Sequence, residues 1–320
     1  MVSLDKGLLM HVGLPKAAST TLQRTLFSKH SQLFYLGKCV GSAVEKGCLS
    51  EDVFKVLKPV LWENMGSFDI VETLRVYRTK ILPEVSDNKY LLGSWEALGN
   101  RSTKQHLQML KRIQKVFGRC RIMYVLRNPF TQVPSLYLQN IKGNFIHRNR
   151  KWMGASSAID IDTWFERMAK KTAPREPLNY NRNIQDSFEL LRKENVGVFL
   201  FEDLVTNPQT FYRGISNFIG IDSDETYALT QQKHHNPRIT QGQLDLLRKL
   251  DSSFFPRRLL SYCSPGRRDS LLKNMSADTG PVNMDLSPAL QERVANSTRD
   301  GHRWLIENFD LPLEKYGYPL

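Results

Sequence analysis

The sequence has little cysteine and no long apolar run. Its longest apolar stretches, such as Ile122 to Leu126, have the length of a strand and fall far short of the roughly 20 residues that cross a bilayer. The cysteines show neither a CxxC pair nor the spacing of a metal site or a disulfide framework; they are Cys39, Cys48, Cys120 and Cys263. These absences predict a soluble chain that needs no metal and works in a reducing compartment.

The beginning of the sequence also lacks a basic segment followed by a long apolar stretch, which is the pattern of a secretory signal. We therefore expect a cytoplasmic protein. A Golgi lumen is the alternative if the native chain carries an N-terminal anchor ahead of this sequence. Sequons at Asn100, Asn274 and Asn296 keep that alternative open.

The charge balance is strongly positive. The chain has 320 residues, with 45 Lys and Arg against 32 Asp and Glu, which gives a net charge of +13. Such a charge favours anionic ligands in general, including nucleotide phosphates, acidic glycans, nucleic acid and membrane surfaces. Nucleic acid is disfavoured because the basic residues are dispersed and no known reader motif occurs.

Apolar runs of strand length alternate with helical patterns along most of the chain. Strands are predicted near residues 8–12, 89–93, 121–126 and 196–201, and helices near 19–29, 50–85, 101–117, 183–194 and 209–218. This alternation predicts an α/β fold with one parallel sheet and helices on both faces. We expect a single domain over 1–320, with a core at about 7–221 and a mostly helical portion at about 222–320 packed on it. Residues 142–159 and 265–288 are rich in Gly, Ser and Asn and are predicted to be long loops.

The first candidate site is the segment from Gly13 to Thr21, between the first predicted strand and the first predicted helix. Backbone N–H groups of the first helical turn, the Lys16 ammonium and three consecutive hydroxyls can converge there on a phosphate or a sulfate. The hydroxyls belong to Ser19, Thr20 and Thr21. The P-loop pattern GxxxxGK[ST] is not met, which disfavours an ATP or GTP kinase. The alternative is a capped helix beside a solvated lysine.

The second candidate element follows the strand that ends at Leu126. Arg127 stands at the strand end, and Ser135 lies eight residues later on a helix that Asn128 and Pro129 are predicted to start. An arginine and a serine so placed can both reach one phosphate, the arginine through a forked contact. By itself an Arg-Asn-Pro sequence is also typical of a capped, solvated turn.

The third candidate is Glu96, just past the predicted strand at 89–93. A carboxylate at this edge of the sheet can face a group being transferred, where a base must accept a proton. A surface glutamate that caps the next helix is the alternative. Trp95 is expected to fill the core, and His11 is interpreted as a half-buried strand residue.

Taken together, these motifs resemble those of the sulfotransferases that use 3′-phosphoadenosine 5′-phosphosulfate (PAPS). Pro15-Lys16-Ala17-Ala18-Ser19-Thr20 is similar to their 5′-phosphosulfate loop, approximately Pro-Lys-Ser/Thr-Gly-Thr/Ser-Thr, although Ala17 and Ala18 depart from it and Ala18 replaces the glycine. Arg127 and Ser135 resemble the 3′-phosphate element, and related carbohydrate sulfotransferases often carry a glutamate at the position of Glu96. Residues 200–204, 217–220, 234–238 and 308–319 also look like those of bacterial-type members.

The resemblance implies a P-loop-like fold, PAPS as co-substrate, and Lys16 and Glu96 as the catalytic residues. The donor-binding residues that it implies are Pro15, Lys16, Ala17, Ala18, Ser19, Thr20, Thr21, Arg127, Ser135 and Arg238. A solvated basic loop is the alternative for Arg238.

The implied reaction transfers a sulfuryl group to a hydroxyl of a carbohydrate, a lipid or a small molecule and releases adenosine 3′,5′-bisphosphate, without a metal. An anionic glycan is one possible acceptor, given the positive charge. The alternatives are a P-loop-type nucleotide kinase, which needs Mg²⁺, and a non-catalytic protein that binds polyanions.

Overall fold

In a computed structural model of the protein, the described residues are 7–38, 47–62, 68–147, 159–172, 178, 180–231, 239–252, 263–274 and 280–320. Contacts divide the chain into two compact units. The first contains Met1–Asn128, Asn179–His234 and Trp304–Pro312, and the second contains Pro129–Leu178, His235–Arg303 and Leu313–Leu320. The expectation of one domain with its core at about 7–221 stays a prediction.

The first unit is built on one parallel sheet of five strands, so the α/β prediction is confirmed. The strands are β1 Leu8–His11, β2 Leu33–Gly37, β3 Tyr90–Ser94, β4 Cys120–Leu126 and β5 Val196–Leu200, in the order β2-β3-β1-β4-β5. Every residue of β1 is buried, as expected for a strand covered on both faces. The strand β2 has no counterpart among the sequence-based predictions.

Helices of the first unit connect and cover these strands. They are α1 Ser19–Thr21, which continues as a wider π-helical segment over Leu22–Phe27, α2 Glu51–Trp62, α3 Ile70–Val76, α4 Thr103–Phe117, α7 Tyr180–Leu191, α8 Phe201–Thr206, α9 Pro208–Ile219 and α10 Ser223–Thr230. A 3₁₀ turn spans Glu96–Asn100 between β3 and α4. The amphipathic pattern predicted over 101–117 is confirmed by α4, which packs against α2 and α7.

The second unit is mainly helical in its described part. Its helices are α5 Pro129–His147, α6 Ile161–Thr172, α11 Gln241–Ser252, α12 Pro265–Asn274 and α13 Pro288–Phe309, whose last six residues belong to the first unit. Helix α5 begins at Pro129, as Asn128 and Pro129 indicate, and it runs through Pro134. Within the described ranges, no helix is both long and apolar enough to cross a membrane.

Two predicted loops are wrong over part of their length. Residues 142–147 belong to α5, and residues 265–274 form α12. Residues 148–158 lie outside the described residues. Arg268 is buried on α12 and donates hydrogen bonds to the carbonyl oxygens of Phe145 and Cys263. Such tertiary contacts override a composition that favours loops.

The expectation that the cysteines form no disulfide is wrong at Cys48. Cys48 is disulfide-bonded, whereas Cys120 and Cys263 are free thiols. Cys48 pairs with Gly37 in an antiparallel bridge, and the Lys38 N–H donates to the carbonyl oxygen of Gly47 at 2.7 Å. The end of β2 therefore enters a short paired segment that a disulfide reinforces.

Thiol titration tests this disulfide. A disulfide at Cys48 consumes two of the four cysteines, so the unreduced protein in guanidinium chloride should show two reactive thiols per chain and, after reduction, four. Denaturant is needed because Cys120 is buried. Four reactive thiols before reduction would contradict the cross-link and favour the reducing compartment expected from the sequence.

Candidate active site

The pairing of the central strand determines where the candidate site lies. Strand β1 pairs with β3 on one side and with β4 on the other, and the chain order reverses across it. In an open parallel sheet, ligands bind beyond the carboxyl ends of the strands at such a switch point. The Gly13–Thr21 loop leaves the sheet at this place.

Backbone hydrogen bonds hold the loop against β4 before it turns into the helix. Val12 N–H donates to Met123 O at 2.9 Å, Leu14 N–H donates to Val125 O at 3.2 Å, and Ala17 N–H donates to Leu14 O. The loop therefore continues beside β4 past the end of β1, which brings it to Arg127. This strand, loop and helix arrangement is the one that the sequence predicts.

Two loop residues adopt left-handed backbone conformations. Lys16 has φ 68° and Ala18 has φ 61° with ψ 11°. For a residue with a Cβ this conformation costs about 1–2 kcal/mol, and glycine adopts it readily. Ala18 thus keeps a turn that glycine favours, and it does so at an energetic cost. Strained residues of this kind are often found at functional sites.

The loop presents polar groups where the helix begins. Ala18 is the cap residue and immediately precedes the first helical residue, Ser19. The Ser19 side chain is buried, and its hydroxyl has no hydrogen-bond partner among the described residues. Thr20, Thr21 and Lys16 are half-buried. The loop thus combines a cation with a buried hydroxyl that needs a partner.

Arg127 is buried at the end of β4 and contacts the loop directly. Its Nη1 donates to the Lys16 carbonyl oxygen at 2.9 Å, and its guanidinium lies 4.8 Å from the centre of the Phe201 ring. Phe201 begins α8 after β5, so Arg127 is held between the loop and the neighbouring strand end. The guanidinium is therefore fixed beside the loop, and its role in phosphate binding stays a prediction.

Ser135 and Arg238 are the two remaining residues predicted to bind the donor. Ser135 lies half-buried on α5 in the second unit, and Arg238 lies outside the described residues. Their roles stay predictions.

Glu96 is positioned by the 3₁₀ turn that follows β3. Asn183 Nδ2, from α7, donates to the carbonyl oxygens of Gly99 at 3.0 Å and Arg101 at 3.1 Å. A methyl group on Gly99 would lie 2.4 Å from the Val12 carbonyl oxygen, so the turn passes directly against the backbone that follows β1. Glu96 is thereby fixed beside the loop.

The Glu96 carboxylate is paired on one side and unpaired on the other. Lys38 Nζ, just past the end of β2, donates to Oε1, while Oε2 is buried and has no partner among the described residues. Burial raises the pKa of this carboxyl, but the hydrogen bond and the positive charge of Lys38 oppose it, and the net pKa lies below the ordinary value. Glu96 is ionised at neutral pH and has one oxygen available to accept a proton.

His11 lies next to Glu96 and is fully buried, not half-buried as the sequence analysis expects. Its Nδ1 lies 2.8 Å from Ser94 Oγ, and the Gln23 side-chain amide donates to the same Oγ at 2.9 Å. Burial lowers the pKa of His11 to about 4, with Glu96 raising it and Lys38 lowering it by smaller amounts. The imidazole is therefore neutral at pH 7.

Sequence reasoning missed Lys38, Gln23 and the hydrogen-bonding role of Ser94. Lys38 follows the strand that was not predicted, and its partner lies 58 positions away. Trp95 is buried and packs on Trp62 with ring centres 3.8 Å apart, which agrees with its expected place in the core. Among the described residues, no cluster of His, Cys, Asp and Glu is arranged to hold a metal.

The chain is similar to known sulfotransferases. A crystal structure of a sulfotransferase from Alicyclobacillus acidocaldarius matches 82% of this chain and 94% of its own, with 15% identity and a TM-score of 0.46. A sulfotransferase domain from the curacin biosynthetic pathway matches 91% and 96%, with 16% identity and a TM-score of 0.43. Mouse sulfotransferase SULT7A1 complexed with PAP matches 87% and 89%, with 16% identity and a TM-score of 0.38. No curated protein matches the sequence.

A family model provides the assignment. The model described as the sulfotransferase family matches residues 9–225. This segment is more than half of the chain and contains the loop, Lys38, Glu96 and Arg127. The chain therefore belongs to the sulfotransferase family.

Proposed function

We propose that the protein transfers a sulfuryl group from PAPS to an acceptor hydroxyl by in-line displacement. Membership of the family supports sulfuryl transfer in general. The observation that carries the finer proposal is the Glu96 carboxylate, which is ionised, is held by Lys38 through one oxygen, and has no partner for its other oxygen among the described residues. Pairing of β1 with β3 brings the turn that carries this carboxylate close to the Gly13–Thr21 loop, which supports the proposal.

In the proposed reaction, Glu96 Oε2 accepts the proton of the acceptor hydroxyl as its oxygen attacks sulfur. The bond between sulfur and the bridging oxygen breaks, and adenosine 3′,5′-bisphosphate leaves with the electron pair. Lys16 neutralises the charge that grows on the bridging oxygen. As in phosphoryl transfer, positioning and charge stabilisation provide most of the catalysis. These residues need no metal for this chemistry.

The proposed donor site has two parts. The loop from Pro15 to Thr21 holds the 5′ end through Lys16, backbone N–H groups and hydroxyls. Arg127 and Ser135 bind the 3′-phosphate, and Arg238 completes the donor contacts. Support for the Arg127 assignment comes from its burial and its hydrogen bond to the Lys16 carbonyl oxygen, which bring a fixed cation to the loop.

The acceptor is proposed to be a hydroxyl-bearing carbohydrate, lipid or small molecule. The net charge of +13 supports an anionic glycan within this class. For the compartment, the disulfide at Cys48 supports the Golgi lumen over the cytoplasm, because disulfides are rare where glutathione keeps thiols reduced.

Arg127→Ala is expected to weaken binding of adenosine 3′,5′-bisphosphate. A hydrogen-bonded contact with a charged group is worth roughly 1.5–3 kcal/mol, or about ten- to a hundred-fold in Kd. Calorimetry without metal measures the loss, and Arg24→Ala, an exposed arginine on the helix that follows the loop, is the matched control. Equal affinity of the wild type for adenosine 5′-monophosphate would contradict a 3′-phosphate site, and a requirement for Mg²⁺ would favour a kinase.

Glu96→Gln is expected to lower kcat by about 10²–10⁴-fold, the usual contribution of a general base. The affinity for adenosine 3′,5′-bisphosphate should stay within about twofold, because the base contacts the acceptor. Turnover of labelled PAPS with a panel of glycans, lipids, phenols and alcohols provides the assay, and Glu84→Gln, an exposed carboxylate, is the control. Unchanged turnover in the Glu96 variant would exclude this residue as the base.

Lys38→Met is expected to shift the acidic limb of the kcat/KM profile to higher pH. In the wild type the pKa of Glu96 is below its ordinary value, so the base is ionised and active from low pH upward. Without Lys38, burial acts unopposed and raises the pKa of Glu96, so protonation inactivates the enzyme at a higher pH. Lys29→Met, an exposed lysine, should leave the limb in place. An acidic limb that moves to lower pH or does not move would contradict the pairing of Lys38 with Glu96 as the general base.

A further inference from the structure

His11 carries a buried ring nitrogen that the proposed mechanism does not use. The side chain is 0% exposed at the end of β1, and Nδ1 lies 2.8 Å from Ser94 Oγ. The other nitrogen, Nε2, has no hydrogen-bond partner among the described residues. Leaving a buried polar atom unsatisfied costs about 1–3 kcal/mol, so this atom calls for a partner.

His11 Nε2 lies close to Gly13, at the start of the loop. A methyl group added to Gly13 would lie 2.6 Å from His11 Nε2 and 3.4 Å from Ser19 Oγ. Ser19 Oγ is the second buried atom of this region without a partner among the described residues. Two unsatisfied polar atoms therefore face the same point, where the loop begins and where Gly13 supplies no side chain.

The hydrogen bond between His11 Nδ1 and Ser94 Oγ is compatible with two tautomers of the imidazole. The imidazole is neutral at pH 7, because burial lowers the pKa of His11 to about 4. Ser94 Oγ accepts a hydrogen bond from the Gln23 amide, and the Tyr35 hydroxyl is hydrogen-bonded to the same side chain. In one of the two tautomers the Ser94 hydroxyl donates its proton to Nδ1.

In that arrangement the proton of the neutral imidazole resides on Nε2. The Nε2–H group is then a buried donor near the loop that has no partner among the described residues. The opposite tautomer would present a lone pair to the loop, which an anionic ligand cannot use.

We propose that His11 is a donor-binding residue whose neutral Nε2–H group donates a hydrogen bond to a 5′-phosphate oxygen of PAPS, beside the hydroxyl of Ser19. This inference rests on the proposed function, because it assigns a further contact within the same donor site. Ser94 and Gln23 act as positioning residues that hold the ring. Gly13 is required at its position because a side chain there would occupy the space between Nε2 and the ligand.

Two substitutions of similar polarity separate the two ring nitrogens. In His11→Gln the side-chain amide nitrogen can reach the position of Nε2, whereas in His11→Asn the shorter amide reaches only that of Nδ1. We expect His11→Gln to bind adenosine 3′,5′-bisphosphate within about threefold of the wild type. His11→Asn should bind roughly ten- to a hundred-fold more weakly, the range for a hydrogen bond to a charged group.

Calorimetry with adenosine 3′,5′-bisphosphate, which keeps the 5′-phosphate and lacks the sulfuryl group, measures these affinities. His106→Gln is the matched control, since His106 is also fully buried and its Nε2 lies 2.7 Å from the Ser187 hydroxyl. That variant is expected to lower the melting temperature and to leave the affinity unchanged. Equal affinities of His11→Asn and wild type would overturn the inference, whereas absence of binding by the wild type would overturn the proposed function itself.

Gly13→Ala provides a second route that leaves His11 in place. Its methyl group would displace Nε2, so we expect a loss of affinity similar to that of His11→Asn. The double variant should lose little more than either single one, because both changes remove the same contact. Fully additive losses would show that Gly13 and His11 act independently and would contradict the proposal.

Nuclear magnetic resonance reads the tautomer directly and does not depend on activity. Protein with ¹⁵N-labelled histidine contains seven imidazoles, and the His11→Gln variant identifies the His11 signals by their loss. We expect a neutral ring with its proton on Nε2 at pH 7, and a downfield shift of that proton when adenosine 3′,5′-bisphosphate is added. A proton on Nδ1, or a signal that does not respond to the ligand, would overturn the inference.

Discussion

The pairing of β1 with two parallel neighbours determines the position of each described group of the site. The register places His11 beside Ser94 of β3 and beside Met123 of β4. Since parallel strands end at the same edge, the next residues of each chain segment emerge together. Glu96 follows β3, Arg127 follows β4, and the loop follows β1. If this register slipped by one residue, the side chains of the slipped strand would point to the face of the sheet opposite to the one they now occupy.

Burial and pairing act together on the charged groups at this edge. Burial alone disfavours an ionised carboxylate, yet Lys38 keeps Glu96 charged, and Oε2 has no partner within the described part of the chain. The same burial keeps His11 uncharged. A single desolvated environment thus holds one ionised carboxylate and one neutral imidazole, and the difference between them is the partner that each side chain meets.

A second buried cluster in the first unit also contains a histidine hydrogen-bonded to a serine. His106, Ser187 and Tyr124 are fully buried and hydrogen-bond one another, with Ser187 Oγ donating to the Asn183 carbonyl oxygen. Asn183 in turn holds the turn that carries Glu96. The cluster therefore links α4, β4 and α7 beneath the site, and its histidine and serine serve the packing of the first unit.

The sequence predicted the parts of the site that depend on local patterns. Apolar runs located β1, β3, β4 and β5, and the residues that directly follow three of these strands were recognised as candidates. Strand β2 was missed because a short apolar run between polar residues has no distinctive period. Lys38 was missed with it, since only the folded sheet brings it to Glu96. The unpaired nitrogen of His11 was equally inaccessible, because it depends on the distance between that ring and Gly13.

The left-handed conformation of Ala18 affects how many other changes the chain can tolerate. A typical domain is stable by about 5–15 kcal/mol, and the conformation at Ala18 consumes about 1–2 kcal/mol of such a margin. Other interactions in the first unit must offset this free-energy cost, so less stability remains to tolerate further destabilising substitutions. In evolutionary terms, the loop lowers the mutational robustness of the sheet that supports it, so the shape of this loop and the stability reserve of the protein depend on the same residue.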